Sequence, residues 1–132
     1  MSWDIFVQDF PGDALSVKDI PSDFVPAVIA NRSAIIAKVK EIAPSADVSD
    51  PSWGRIEGDG WSVELNLGKD EECKHFALHV RGADTAAGAV AAILEHLNLR
   101  ALDSQTGDFF VAGAAAVASF RKWRAYHSNL GR

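Results

Sequence analysis

The sequence has 132 residues, of which 48% are hydrophobic and 23% are charged, and its formal net charge is −5. This composition is ordinary for a folded protein and argues against disorder, and the length predicts a single domain over residues 1–132. The negative charge opposes a general affinity for nucleic acid or for anionic lipid, so neither nucleic acid nor a membrane is expected as a partner.

The expected compartment is the cytoplasm. The opening residues, MSWDIFVQDF, lack the basic start of a signal peptide, and no apolar run approaches the ~20 residues that cross a bilayer. The single cysteine, Cys73, suits a reducing compartment. Its neighbours in KDEECK are mostly acidic and disfavour a thiolate, so a nucleophilic role for Cys73 is not expected.

The chain begins with a predicted strand at residues 2–9, because aromatic and β-branched residues alternate there with polar ones. Trp3, Ile5 and Val7 are the expected core side chains of this strand. Residues 10–30 contain three prolines and no sustained period. Their scattered apolar side chains predict a strap, the name used below for residues 10–30, that is anchored to the core.

Three helices are predicted further along the chain. The first is capped by Asn31 or Ser33 and runs to about Ala43, the second is capped by Asp84 and stopped by a left-handed Asn98, and the third occupies residues 114–127. Gly88 is expected to let the second helix approach the sheet closely. Each helix has a predicted buried face. These faces consist of Ile35, Val39 and Ile42; of Ala87, Val90, Ala91, Leu94 and Leu97; and of Val117, Phe120, Trp123 and Tyr126.

Residues 53–81 predict three antiparallel strands in a definite register. Asp59 and Gly60 are a preferred pair for a type I′ turn, which aligns the first two strands. The third strand is aligned by its apolar pattern, which places Val80 opposite Val63 on a shared face. The resulting pairs on the polar face are Trp53 with Asn66, Arg55 with Glu64, Glu64 with His79, Glu57 with Ser62, and Ser62 with Arg81.

This polar face carries the candidate binding surface, formed by Trp53, Arg55, Glu64, His79 and Arg81. A large aromatic side chain on a polar face is either covered by another segment or an anchor for a partner. Cover by the strap and exposure to a partner both remain open. Glu64 and His79 have the chemistry of an acid/base pair, but no nucleophile lies in register with them, so alternating charges on a solvated sheet are the first interpretation.

The sequence predicts no catalytic residue, no metal site and no cofactor. His75 and His79 lie on one strand, four residues apart, which separates them by about 13 Å. They therefore cannot share a zinc ion, whose bonds to nitrogen are about 2 Å long.

The predicted order is strand, helix, three strands, helix, short strand, helix. This order corresponds to an α+β domain with a mostly antiparallel sheet of four to five strands and about three helices. The place of the first strand within the sheet is left open.

Four segments, SWDIFVQDFP, DPSWG, HFALHVRG and LRALDSQTGDFF, together resemble a group of small uncharacterised bacterial single-domain proteins. The resemblance covers most of the chain. It implies a bacterial single-domain protein and carries no functional residues across.

The favoured hypothesis is a non-catalytic protein-interaction module of inhibitory, immunity or regulatory type, which binds another protein or a second copy of itself. The reasons are small size, acidity and a tryptophan on a polar face. The alternative is a small-molecule-binding or hydrolytic domain that uses Glu64, His79 and Arg81. Enzymatic activity is left open and is not favoured.

Overall fold

A computed structural model describes residues 1–130 and the side chains of residues 1–127. It has an α+β architecture, in which three helices cover one face of a six-stranded antiparallel sheet and two short strands form a second sheet. Within these residues no helix combines the length and apolarity needed to cross a membrane. The strands are β1 (Trp3–Gln8), β2 (Ala30–Asn31), β3 (Trp53–Gly58), β4 (Trp61–Asn66), β5 (Glu72–Cys73), β6 (His75–Gly82), β7 (Arg100–Asp103) and β8 (Asp108–Phe109). The helices are α1 (Arg32–Ile42), α2 (Ala86–Leu97) and α3 (Ala114–Leu130).

The large sheet has the strand order β3-β4-β6-β1-β7-β8, so the first strand lies in its interior. The predicted α+β class and antiparallel sheet are confirmed, but the strand count and order differ in detail. The sheet has six strands rather than four to five, and β2 and β5 form a separate pair. The unpredicted strands β2, β5 and β8 have two residues each, which is too short to produce a readable alternation.

The predicted register of the three-strand unit is confirmed. Val63 lies opposite both Ile56 and Val80, and the polar pairs follow from that alignment. The turn between β3 and β4 differs from the predicted type I′, because only Gly60 has a positive φ, at 76°. Asp59 does not, which is the φ pattern of a type II turn. The apolar pairing preserves the register despite the different turn, since a slip of one residue would expose the core side chains.

The core lies between the sheet and the helices, and Trp3, Ile5 and Val7 are fully buried in it as predicted. They pack with the inward-facing side chains of β4 and β6 and with those of the three helices. The largest of these are Val63, Leu65, Leu78, Val80, Ile35, Val39, Val90, Ile93 and Phe120.

Three predicted positions on the helices are corrected. Ile42 is 39% exposed and Tyr126 is 60% exposed, although both were placed on buried faces. In each case the buried stripe continues through the following residue, since Ala43 packs on the core and His127 is only partly exposed. Gly88 is also exposed, and a Cβ added there would meet nothing within 4 Å, so it does not mediate close packing on the sheet.

The start of α2 also differs from the prediction. Thr85 occupies the N-cap position without a side-chain cap bond. The Asp84 carboxylate instead accepts hydrogen bonds from Arg121, with Nε 2.7 Å from Oδ2, and from Arg124 of α3. Hydrogen bonds between charged groups are stronger than those to a neutral backbone N–H, which explains why Asp84 binds the two arginines and does not cap α2. The end of α2 is as predicted, because Asn98 is left-handed with φ 52°.

The strap crosses the sheet face that points away from the helices, called the outer face below. Phe10 packs edge-on against Phe109 of β8 at a centroid distance of 5.2 Å. Ile20 of the strap and Leu102 of β7 both pack on the cluster that these two rings form with Ala14. The strap therefore covers the β7–β8 end of the outer face. The opposite end is not covered, because Trp53 of β3 is 42% exposed.

Candidate functional site

The uncovered part of the outer face is made of three rows of side chains that run across β3, β4, β6 and β1. All five predicted site residues lie there, and β1 adds two more, Asp4 and Phe6. Row one is Glu57, Ser62 and Arg81; row two is Arg55, Glu64, His79 and Asp4; row three is Trp53, Asn66, Ala77 and Phe6. Asp4 could not be assigned from the sequence, because the position of β1 was open.

Glu64 is the centre of the polar contacts. Its Oε1 accepts from Nη1 of Arg81 at 2.6 Å and lies 3.6 Å from Nη1 of Arg55. Its Oε2 accepts from the indole Nε1 of Trp53 at 2.7 Å. The register predicted His79 opposite Glu64, but the carboxylate binds the diagonal Arg81 instead. The long guanidinium side chain reaches across the diagonal and offers a charge-assisted bond.

His79 is held by Asp4 and Trp53. Its Nδ1 lies 2.8 Å from Oδ1 of Asp4, and its ring stacks on the indole at a centroid distance of 5.5 Å and an angle of 18°. Ser2 Oγ donates to the same Asp4 oxygen at 2.5 Å and lies 3.4 Å from the same His79 nitrogen. A nucleophilic triad needs the acid and the hydroxyl on different imidazole nitrogens. This Ser, His and Asp cluster therefore lacks the geometry of a triad.

The two exposed aromatic side chains of row three frame a shallow strip. Trp53 is fixed by its stacking on His79 and by its bond to Glu64, and Phe6 is 46% exposed three strands away. That separation is about 14 Å between backbones. The residues between them, Asn66 and Ala77, have short side chains. The surface between the two aromatic side chains is therefore lower than the rings on either side.

The edge of the sheet beside this surface is closed. Asp47 pairs with Arg55 on the outside of β3 through two backbone hydrogen bonds of 2.8 and 2.9 Å. The backbone N–H of Trp53 also donates to the carbonyl oxygen of Asp50 at 3.1 Å. A peptide strand therefore cannot add to this part of the edge, which leaves the face itself as the available surface.

A groove of about 930 Å³ continues row three toward the strap. It is bordered by Phe6, Ala77 and Leu102 and by the loop at residues 68–74. Cys73 of this loop is buried, and burial raises the pKa of its thiol. The sequence analysis did not predict the groove, because the loop has no periodic pattern that locates it.

Sequence comparisons find no family model that matches this chain and no curated protein that resembles it. The geometry of the outer face and the groove is therefore the basis for any functional assignment. In residues 1–130, no group of three or more His, Cys, Asp or Glu side chains is arranged to hold a metal ion.

Proposed function

We propose that this protein is a non-catalytic protein-interaction module, of inhibitory, immunity or regulatory type, whose contact surface is the uncovered part of the outer face. The observation that carries the proposal is the pair of half-exposed aromatic side chains, Trp53 and Phe6, in one row of a rigid sheet. Large aromatic side chains on an otherwise polar face are candidate anchors for a partner.

The surroundings of Trp53 support a binding role. Tryptophan and arginine are the residue types most enriched among side chains that dominate binding energy, and Arg55 and Arg81 lie beside it in rows two and one. Glu64 holds the indole and both guanidinium groups. Because these side chains are already ordered, a partner would lose little conformational entropy by contacting them.

The polar cluster favours binding over catalysis. Ser2 and Asp4 both contact Nδ1 of His79, so the imidazole has no hydroxyl on its other nitrogen to activate. Glu64 is engaged by Arg81 and Trp53, which leaves it poorly suited to proton transfer. These contacts order a surface rather than activate a group.

The test is a tagged pull-down from the native host at physiological salt. The bait is compared with the Trp53→Ala/Arg55→Ala variant and with a matched control, Tyr126→Ala/Lys122→Ala, which removes an exposed aromatic and a cation from α3. All three baits are first checked for folding by circular dichroism. The proposal expects a stoichiometric partner that the wild type and the control retain and the outer-face variant loses. Equal retention by all three baits would overturn it, and so would a bait that captures no specific partner and is also monomeric at high concentration.

A second candidate function is a small-molecule-binding or hydrolytic domain that uses Glu64, His79 and Arg81. The groove favours small-molecule binding, because its volume of about 930 Å³ lies in the range of small-molecule pockets, ~300–1,000 Å³. Its lining includes Phe6, Ala77 and the loop at residues 68–74, whereas Glu64, His79 and Arg81 lie outside it. A ligand that binds only the folded state raises its melting temperature. A metabolite panel measured by thermal shift on the wild type and on Ala77→Trp, which fills the groove, tests this candidate. A ligand of the groove must raise the melting temperature of the wild type and leave that of Ala77→Trp unchanged.

A further inference from the structure

The charges on the outer face are arranged so that the surface complements itself. Across row two the order is Arg55, Glu64, His79 and Asp4, with a cation at one end and an anion at the other. We propose that the partner bound by the outer face is a second copy of this chain. The inference rests on the proposed function, since it names the partner of the same surface.

The symmetry follows from the strand order. A two-fold axis that lies in the interface, parallel to the strands and between β4 and β6, places β3 of one copy over β1 of the other. Arg55 then faces Asp4 of the second copy, and Glu64 faces His79 of the second copy. The contact is isologous, so each of these pairs occurs twice.

The other two rows match under the same axis. In row three Trp53 faces Phe6 of the second copy, so that the two exposed aromatic side chains cover each other. Asn66 faces Ala77, both short, in the centre of the interface. In row one Arg81 lies over the buried Ser62, and Glu57 has no charged counterpart. No like-charged pair is created in any row.

A two-fold axis perpendicular to the strands and through row two is disfavoured by charge. An axis in the interface but perpendicular to the strands places every strand over its own copy. When it passes through row two, Arg55 lies over Arg55, Glu64 over Glu64, and Asp4 over Asp4. Like charges in direct opposition across an interface are strongly unfavourable, so this placement is disfavoured, whereas the axis parallel to the strands pairs Arg55 with Asp4 and Trp53 with Phe6 together.

The size of the surface sets the expected strength of the dimer. The surface spans four strands spaced about 4.8 Å apart and about six residues along each strand, with a rise of about 3.3 Å per residue. The patch is therefore about 20 Å wide and about 20 Å long. Such a patch is smaller than the ~800 Å² per partner of standard interfaces. The copies also repel through a net charge of −5 each. The dimer is therefore weak and reversible, and it forms only at high protein concentration.

Sedimentation equilibrium between about 10 μM and about 1 mM tests the proposal, because weak complexes have dissociation constants in that range. The wild type is expected to move from monomer to dimer across the series. Arg55→Asp and Asp4→Arg should each raise the dissociation constant about tenfold or more, and the double variant should return it to within about threefold, because the pair is restored with reversed signs. Lys122→Asp and Glu95→Arg make the same charge changes on the helical side and should leave the dimer intact.

A crosslink reports the geometry even if one charge variant does not fold. Facing sheets lie about 10 Å apart, so a bismaleimide spanning about 10 Å should join Trp53→Cys in one copy to Phe6→Cys in the other. Trp53→Cys alone should not crosslink, since its two copies lie about 17 Å apart in this arrangement. A crosslink between two Trp53→Cys copies that exceeds the mixed one overturns the proposed axis.

The results separate this inference from the proposed function. A monomer at every concentration, or charge reversals without rescue, overturns the dimer. If the monomer still retains a different protein through Trp53 and Arg55, the proposed function stands and only the identity of the partner changes. A monomer that retains nothing overturns both.

Discussion

Asp103 is the buried carboxylate on which we base the most detailed prediction. Its Oδ1 accepts from the indole Nε1 of Trp3 at 2.8 Å and from the backbone N–H of Gln105 at 2.8 Å, and its Oδ2 accepts from Oγ of Ser119 at 2.6 Å. Asp103, Trp3 and Ser119 are all buried. The carboxylate therefore joins β1, β7 and α3 inside the core.

The replacement Asp103→Ala removes the acceptor for two buried donors. A buried polar group left without a partner costs about 1–3 kcal/mol, so the indole N–H of Trp3 and the hydroxyl of Ser119 together predict a loss of about 3–5 kcal/mol. The free energy of unfolding of a domain is typically about 5–15 kcal/mol, so this variant loses a large part of its stability. The replacement Asp103→Asn should cost only about 1–2 kcal/mol. Its amide oxygen still accepts from Trp3, and its amide nitrogen donates to the hydroxyl of Ser119.

Urea unfolding followed by far-ultraviolet circular dichroism measures both variants against the wild type. The alanine variant should be less stable than the asparagine variant by about 1 kcal/mol or more. Two variants of equal stability would refute it, because the hydrogen-bond donors would then have other partners. The mutation Ser119→Ala in the Asp103→Ala background is a useful check, since it removes one of the stranded donors and should recover part of the loss.

Three further predictions concern backbone, pH and thiol chemistry. Gly82→Ala should destabilise the fold by about 2 kcal/mol or more, because φ is 97° and the new Cβ would lie 2.2 Å from the backbone oxygen of Gly60. Gly88→Ala has open space around the new Cβ. It should therefore stabilise the fold by about 0.5–1 kcal/mol, since alanine favours a helix over glycine. The hydrogen bond from Ser16 holds the pKa of Asp108 below its usual 3.8, so the stability this bond supplies is complete above about pH 4 and is lost as pH falls further. Cys73, buried and with a raised pKa, should react with a disulfide reagent at least ~100-fold more slowly in the folded protein than in urea.

The outcomes that would contradict these predictions are definite. Urea midpoints for Gly82→Ala and Gly88→Ala that shift in the same direction would contradict the backbone argument. The melting temperature of Asp108→Asn is expected to lie further below that of the wild type at about pH 6 than at about pH 2.5. An equal difference at the two pH values would contradict the pH argument. A folded-state labelling rate for Cys73 close to the unfolded rate would show that the loop at residues 68–74 opens freely.

The register of β3, β4 and β6 was predictable because it depends on short-range information. Alternating apolar residues and a two-residue turn determine which residues face each other within residues 53–81. The turn was assigned the wrong type, yet the pairs were right, since burial of Val63 between Ile56 and Val80 dominates over the turn dihedral angles. This agreement extends to the backbone positions of the candidate site.

The rest of the site depends on contacts that are distant in the chain. Asp4 joins His79 from 75 positions away, and no local pattern indicates which strand lies beside β6. Glu64 binds Arg81, which lies diagonally across from it on β6, and not His79, which lies directly opposite. The length of the arginine side chain allows this contact, and the strand register does not predict it. The role of Asp103 could not be predicted from its neighbours in the sequence, because its buried partners lie on β1 and α3.

The interior position of β1 has a consequence for how the chain folds. Strand β1 is synthesised before β6 and β7 and must wait for both, and Trp3 meets Asp103 across 100 positions. Contacts so remote in the chain slow folding, since a long loop must close before they contribute. Until then Trp3, Ile5, Phe6 and Val7 leave the ribosome as an unpaired apolar strand. This interval is the period when the nascent chain is most exposed to aggregation and most in need of a chaperone.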